Sequence, residues 1–199
     1  MISQSLLFMV ATVFTIYLLK KDLNDNQLFS VFYWISVVFG GFQLCAKSFS
    51  NESQERVLWL KQYVSPLEFI FSKLIFNAIF LSILASLAFA AFCIVFSYSP
   101  LEANHIFLVA AIMLGAINLS AVLTFVGGIG HSAGSALGLT AILGFPIILP
   151  GLLFSTRLFF YALGDISSTV NAPYAYALLA LNVLTILLVS VLFPYLWRE

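Results

Sequence analysis

The chain alternates long apolar segments with short polar turns, and this pattern predicts membrane-spanning helices. Six apolar segments have lengths near the roughly 20 residues with which a helix crosses a bilayer. They cover residues 5–19, 28–46, 66–98, 106–126, 135–161 and 174–196. The sequence therefore predicts an all-α integral membrane protein with six transmembrane helices, in which residues 1–199 form a single transmembrane domain.

The third segment has a well-marked beginning. Ser65 can cap the free N–H groups of a helix, Pro66 suits its first position, and Glu68 completes a capping box. Apolar character then continues to about Tyr98. Roughly 30 helical residues at about 1.5 Å each exceed the thickness of the bilayer. We therefore expect this helix to tilt or to project from the membrane.

Prolines and glycines mark the fifth segment and the residues before it. Pro146 and Pro150 each remove a helical hydrogen bond and clash with the preceding turn. We expect a kinked or broken helix there, or a span followed by a short re-entrant piece. Gly130, Gly134 and Gly138 recur every four residues, and on a helix they would form a packing stripe of small residues. The alternative is a flexible loop that leads into the helix.

Residues 47–65, between the second and third segments, form a polar stretch suited to contact with water. Its polar first half is followed by Val57, Leu60 and Val64, which recur on one helical face. This spacing predicts a short amphipathic helix lying along the membrane surface. Such a helix either only anchors the chain or acts as a coupling helix that docks on a cytoplasmic ATPase. The docking residues would be Glu52, Glu55, Arg56, Leu60 and Lys61.

Composition agrees with a lipid environment. Hydrophobic residues make up 62% of the 199 residues and charged residues 8%, with a mean hydropathy of +1.09. A soluble domain carries roughly 25% charged residues, so this chain has too few to cover a water-facing surface. Eight Lys and Arg balance eight Asp and Glu, which argues against a nucleic-acid surface.

Several residues in the apolar segments have simple structural interpretations. Cys45 and Cys93 lie inside apolar runs and are interpreted as buried free thiols. Tyr33 and Trp34 lie near the start of the second segment, where an aromatic belt at the membrane interface is expected.

The distribution of loop Lys and Arg predicts the orientation of the chain. One side would carry Lys47, Arg56, Lys61, Lys73 and Arg198, and the other Lys20, Lys21 and Arg157. The more positive side is expected to face the cytoplasm. Both termini and residues 47–65 are therefore predicted to be cytoplasmic.

The sequence indicates no active site of its own. It contains no Gly-Lys-Ser/Thr of a phosphate-binding loop. Ion or proton transport needs ionisable groups at membrane depth, and the segments have almost none. His105 and His131 lie at segment ends and are either polar interfacial residues or candidate haem or metal ligands. We therefore predict a non-catalytic subunit, with no assigned cofactor or metal site and with energy supplied by another chain.

Three stretches resemble a known family. They are FSNESQERVLWLKQYVSP at 49–66 followed by IFSK at 70–73, FPIILP at 145–150 and LFPYLWRE at 192–199. Together they resemble the CcmB family, the permease-type subunit of the haem exporter ABC complex in cytochrome c maturation. One departure is the start of the chain, because family members usually have a basic amphipathic segment before the first span and this sequence opens almost directly at Ser5.

The resemblance implies an ABC-2-like permease with a coupling helix between helices 2 and 3, in the bacterial inner membrane. It implies a partner ATPase of the CcmA type that binds ATP, association with CcmC-like and CcmD-like membrane proteins, and haem as handled cargo. A homodimer is compatible with such an arrangement. The family carries no catalytic residues in this subunit, so none are transferred.

Two other functions remain open from the sequence. The chain could be an ABC-2 permease for another substrate, such as a lipid or a glycan. It could also be a membrane-embedded haem-binding enzyme or chaperone, in which case His131 is the candidate ligand.

Overall fold

The computed structural model describes residues 2–19, 25–50, 62–98, 105–132, 136–164 and 168–198. These residues form six long helices and, within the described ranges, no strand. The helices are α1 (Ile2–Leu19), α2 (Asn26–Ser50), α3 (Pro66–Val95), α4 (His105–Ser132), α5 (Ala136–Leu163) and α6 (Ser168–Arg198). The all-helical prediction is therefore confirmed.

Five of the helices are long and apolar enough to cross a membrane. Their apolar stretches are Asn26–Phe49, Pro66–Val95, His105–Ile129, Pro146–Leu163 and Ala172–Tyr195. The apolar stretch of α1, Ser3–Leu19, is shorter. Large apolar side chains such as Ile75, Ile106 and Leu153 lie on the outside of the bundle, where lipid rather than water accounts for their exposure. The chain is thus a multi-pass membrane protein by helix length and composition, and the count of six spans stays a prediction.

Several helix boundaries differ from the sequence prediction. Helix α2 continues to Ser50, four residues beyond the predicted end of the second span, so residues 47–50 are helical rather than part of a surface segment. Helix α5 is continuous through Pro146 and Pro150, so the broken helix and the re-entrant piece are wrong, and the kink stays a prediction. Helix α6 begins at Ser168, six residues before the predicted start of the sixth segment, and includes Pro173. Neighbouring helices support backbone groups that proline leaves unpaired, and this explains proline inside membrane helices.

Helix α4 forms the centre of the bundle. It packs against α2, α3, α5 and α6, most extensively against α5. Over an apolar window of 18 residues it is 61% buried, compared with 56% for α2 and 28% for α3 and for α6, and together with its four packing partners this identifies it as the core helix. Every residue from 118 to 128 is buried. A helix that is apolar all round and surrounded by other helices belongs in such a position.

An aromatic cluster fills the end of the bundle where α2 begins and α3 ends. Tyr33 stacks on Phe159 with ring centroids 4.5 Å apart, and Phe29 stacks on Tyr98 at 4.3 Å. The Tyr33 hydroxyl donates a hydrogen bond of 3.1 Å to the carbonyl of Ala85.

Two residues of the predicted interfacial belt belong to this core. Tyr33 and Trp34 are fully buried, so their assignment to the membrane interface is wrong. Burial of their large rings between helices outweighs the preference of tyrosine and tryptophan for headgroups.

A close contact between α2 and α4 depends on Gly115. A Cβ atom at this position would collide with the indole ring of Trp34. We predict that Gly115→Ala destabilises the bundle by about 1–3 kcal/mol, because the rigid, fully buried indole cannot move aside. Gly40→Ala is the control, since the nearest atom to its Cβ would be a methyl carbon of Leu84 at 3.0 Å, with the Ser5 carbonyl oxygen and Met9 Cβ at 3.7 and 3.8 Å. The measurement is the unfolding midpoint in detergent, and equal midpoints for both variants would contradict the packing argument.

Candidate functional site

A lysine joins the end of α2 to the beginning of α3. The Lys73 Nζ atom donates a hydrogen bond of 2.7 Å to the backbone carbonyl of Ser48, in the last turn of α2. It also lies 5.8 Å from the ring centroid of Phe49 and 5.6 Å from that of Phe69. The last carbonyls of a helix have no partner within the helix and carry partial negative charge. Lys73 therefore supplies both a donor and a positive charge where α2 needs them.

The capping box predicted at the start of α3 is confirmed, and it fixes the register of Lys73. The amide of Glu68 donates to the Ser65 hydroxyl at 3.3 Å, and the amide of Ser65 donates to a Glu68 carboxylate oxygen at 3.0 Å. With Pro66 as the first helical residue, Lys73 comes two turns into the helix. It therefore meets the end of α2.

A second polar contact lies one helical turn further into the bundle. Asn77 follows Lys73 by four residues and so shares its face of α3. Its Nδ2 atom donates a hydrogen bond of 2.9 Å to the Thr124 hydroxyl of α4. That hydroxyl lies 4.0 Å from Cys45 Sγ of α2 and donates to it. All three side chains are fully buried, so one polar chain ties α2, α3 and α4 together.

Helix α6 reaches the same end of the bundle through an aromatic contact. Phe193 stacks on Phe69 of α3 with ring centroids 6.2 Å apart. Gly127 and Gly128 of α4 leave the space for Phe49 and Phe193, because a Cβ on either glycine would lie 3.1 Å from the facing ring. We call Ser48, Lys73, Asn77, Thr124 and Cys45 the polar joint. It connects three helices directly, and aromatic packing connects it to the fourth.

The predicted docking residues adjoin the polar joint in sequence. Glu52, Glu55, Arg56, Leu60 and Lys61 lie outside the described residues, so the coupling helix stays a prediction. Within 47–65, the structure describes residues 47–50 and 62–65. Lys47 and Ser48 belong to the last turn of α2, whereas Tyr63 is largely exposed just before the capping box.

The three glycines predicted to form a packing stripe do not follow one helix. Gly130 lies near the end of α4 and Gly138 near the start of α5. Gly134 lies between them, outside the described residues. Their helix-packing role stays a prediction, and any such packing would involve two successive helices.

The candidate haem ligands are far apart. His105 and His131 lie at opposite ends of α4, which corresponds to roughly 39 Å along the helix. They cannot bind one iron from opposite faces within one chain. Among the described residues, no group of three or more His, Cys, Asp or Glu could hold a metal ion. Cys45 and Cys93 are both free thiols, as predicted, with Cys45 buried and Cys93 partly buried.

A shallow groove runs along the lipid-facing side of α3 and α4. Its volume is about 560 Å³. The lining residues are Ala78, Ile79, Ser82, Ile83, Ser86 and Leu87 of α3 with Met113 and Ile117 of α4. The wall is almost entirely apolar, because Ser82 is buried and the Ser86 hydroxyl donates to the Ser82 carbonyl within α3.

No family model, curated protein or solved structure matches this chain. The resemblance to the CcmB family rests on the three sequence stretches alone. Of these, 145–150 lies within α5, and 192–198 forms the end of α6. The first stretch connects α2 to α3 and ends at the capping box.

Most of the polar joint was not predictable from the sequence. Lys73 was predicted only as a cation that orients the chain and as part of the stretch 70–73, and Asn77 and Thr124 had no predicted role. One signal was present, since Asn77 follows Lys73 at the i, i+4 spacing that places two polar groups on one face. Their partners on α2 and α4 are 25 and 47 residues away in sequence, and no local pattern reveals them.

We predict that Lys73→Met loosens the last turn of α2. A positive charge at a helix C-terminus contributes about 0.3–2 kcal/mol, so amide exchange at residues 47–50 should accelerate roughly two- to thirtyfold. Hydrogen exchange measured by mass spectrometry checks this, with a peptide from the buried part of α2 as internal reference. Lys73→Arg keeps the charge and serves as the control. Unchanged exchange in Lys73→Met would show that the bond to Ser48 does not stabilise the turn.

A double-mutant cycle measures the bond between Asn77 and Thr124. Interhelical hydrogen bonds in membranes contribute about 0.6 kcal/mol on average and up to about 1.7 kcal/mol. We expect a coupling free energy in this range between Asn77→Leu and Thr124→Val, measured by reversible unfolding in mixed micelles. Ser86→Ala, on the lipid-facing groove, replaces Thr124→Val in a control cycle. Additive effects in the first cycle would show that the bond contributes nothing to the free energy of unfolding.

Proposed function

We propose that this chain is the membrane subunit of an ABC-type exporter, moved by a cytoplasmic ATPase that docks on residues 47–65. The observation that carries the proposal is the bond between Lys73 and the end of α2. It joins the two helices from which the docking segment emerges. A displacement of that segment would therefore reach α2 and α3 together rather than one helix alone.

The polar joint supplies the next step of this proposal. Asn77 lies one turn beyond Lys73 and bonds to Thr124 of the central helix. Because α4 packs against four other helices, a movement of its end would displace side chains in each of those interfaces. Packed helices shift as rigid elements between discrete arrangements, which is how a local force becomes a change in access.

The proposals for the energy source and for the cargo rest on the sequence. With no phosphate-binding loop of its own, the chain would depend on a CcmA-like partner to hydrolyse ATP. The resemblance to the CcmB family makes haem handling in c-type cytochrome biogenesis the first candidate task, together with CcmC-like and CcmD-like membrane proteins. The subunit would then couple hydrolysis to haem delivery or to release of a loaded haem chaperone on the periplasmic side of the inner membrane.

Charge reversal in the docking segment tests the coupling role. We expect Glu52→Lys combined with Arg56→Glu to abolish co-purification of the ATPase, because the charge pattern of the docking surface is inverted while net charge is kept. Lys20→Glu combined with Asp22→Lys is the matched control, since it makes the same kind of exchange on the predicted opposite side. Membrane insertion is checked for both variants. Retention of the ATPase by the first variant would refute docking at 47–65.

The lipid-facing groove favours a second candidate, export of an amphiphile other than haem. The apolar wall of the groove opens to the bilayer and suits the acyl chain of an amphiphile, while the Ser86 hydroxyl stays bonded to the Ser82 carbonyl within α3. Deletion of the gene separates the candidates by what the cells lose. Loss of c-type cytochrome absorbance supports haem handling, whereas normal cytochromes with an altered lipid or glycan profile support the second candidate.

A further inference from the structure

Polar side chains from three helices meet the central helix halfway along its length. Asn182 of α6 donates from Nδ2 to the carbonyl of Leu114 in α4 at 3.4 Å. One turn later, Asn118 of α4 faces the backbone of Gly151 in α5. Between them, Gly115 of α4 faces an edge of the Trp34 ring and the hydroxyl of Ser155. We call Trp34, Asn118, Ser155 and Asn182 the midplane cluster.

The midplane cluster contains polar atoms that lack partners among the described residues. They are the Oδ1 atoms of Asn118 and Asn182 and the Nε1 atom of Trp34. The three side chains are 2%, 6% and 0% exposed, so the lipid headgroups and bulk water are out of reach. Burying a polar group without a hydrogen bond is costly, and hydrocarbon offers no compensation. A cluster of this kind therefore indicates a role other than holding the bundle together.

Two glycines allow the helices around the cluster to pack closely. At Gly151, a Cβ atom would collide with Asn118 Oδ1, and at Gly115 it would collide with the Trp34 ring and lie 3.0 Å from Ser155 Oγ. Helix α5 can therefore lie directly on α4 only because these positions have no side chain. The Ser155 hydroxyl meanwhile donates within its own helix, to the carbonyl of Gly151 at 2.7 Å. A small separation of α5 from α4 would uncover the unpaired amide oxygen of Asn118.

The polar joint continues this line toward the end of α4. Asn77 is fully buried, and its Oδ1 atom is a further acceptor with no partner among the described residues. Its bond to Thr124 lies six residues beyond Asn118 along α4, or roughly 9 Å. Unpaired amide oxygens thus occur both halfway along the central helix and closer to the end that carries the predicted docking segment.

We infer that the midplane cluster is a polar binding site that takes up water, and with it the polar part of the cargo, when α5 separates from α4. Its two amide oxygens accept hydrogen bonds and its indole N–H donates one. They therefore suit a group that both donates and accepts, as water and hydroxyl groups do. The statement about cargo rests on the proposed export function, whereas the uptake of water does not.

Accessibility of introduced thiols tests the inference in the full chain, in native membranes. Cys45→Ser and Cys93→Ala first remove the natural thiols, and the serine keeps an acceptor for Thr124. Ser155→Cys, Asn118→Cys and Asn182→Cys are then compared one at a time. The probe is a charged, membrane-impermeant methanethiosulfonate reagent, which reacts with thiolates in water. A thiol kept in apolar surroundings remains protonated and reacts roughly tenfold more slowly or worse.

The expected result is labelling of the three cluster positions at least about tenfold faster than two controls. Leu119→Cys tests a fully buried apolar neighbour, and Val183→Cys tests a position that faces lipid. Gly151→Ala should further accelerate labelling of Ser155→Cys, because the added methyl group holds α5 away from α4. Labelling no faster than at the controls would overturn the inference. Ser155→Cys is nearly isosteric, so it gives an answer even if the asparagine variants fail to fold.

The outcome is separable from that of the proposed function. Fast labelling in a chain that retains no ATPase would support the cluster and refute docking. Retention of the ATPase with labelling at the control rate would support docking and refute the cluster. Faster labelling in the presence of ATP, in membranes that also contain the partner, would support both.

Discussion

Hydrocarbon offers no hydrogen-bond partners, and the architecture of this chain follows from that constraint. Each backbone N–H and C=O must be satisfied within the protein, which favours long continuous helices. This accounts for the continuity of α5 through two prolines. It also accounts for Lys73, whose ammonium group satisfies a carbonyl in the last turn of α2.

The same constraint gives buried side-chain polarity two different meanings in this bundle. In the polar joint, the amide hydrogen of Asn77 and the hydroxyl of Thr124 both find partners on neighbouring helices. Such bonds fix the relative positions of α2, α3 and α4. In the midplane cluster, Asn118 and Trp34 retain unpaired atoms at the tightest helix contacts. The polar joint also keeps atoms that are unpaired among the described residues, Asn77 Oδ1 and Ser48 Oγ, so the two regions differ in the bonds that the joint makes between helices and not in complete satisfaction.

The central helix connects these two regions. Helix α4 carries Thr124 beside Asn77 of α3 and Cys45 of α2, and Asn118 halfway along its length. Force applied at one end would therefore act on the same rigid element that faces the midplane cluster. The two ends of the bundle also differ in character. The end with Tyr33, Phe29 and Phe159 is packed with stacked rings, whereas the Lys73 end combines polar side chains on three helices with the stacked rings of Phe69 and Phe193.

The local features of this fold were predictable from the sequence. Segment length and hydropathy indicated the helices, and the Ser65–Glu68 pattern marked the start of α3, because these signals depend on neighbours within a few residues. Only the tertiary structure determines which face of each helix points into the bundle. Core-facing and lipid-facing side chains are equally apolar in a membrane helix, so hydrophobic periodicity is nearly lost. For that reason the burial of Trp34, the partner of Lys73 and the meeting of Asn118 with Gly151 became visible only once the helices were packed.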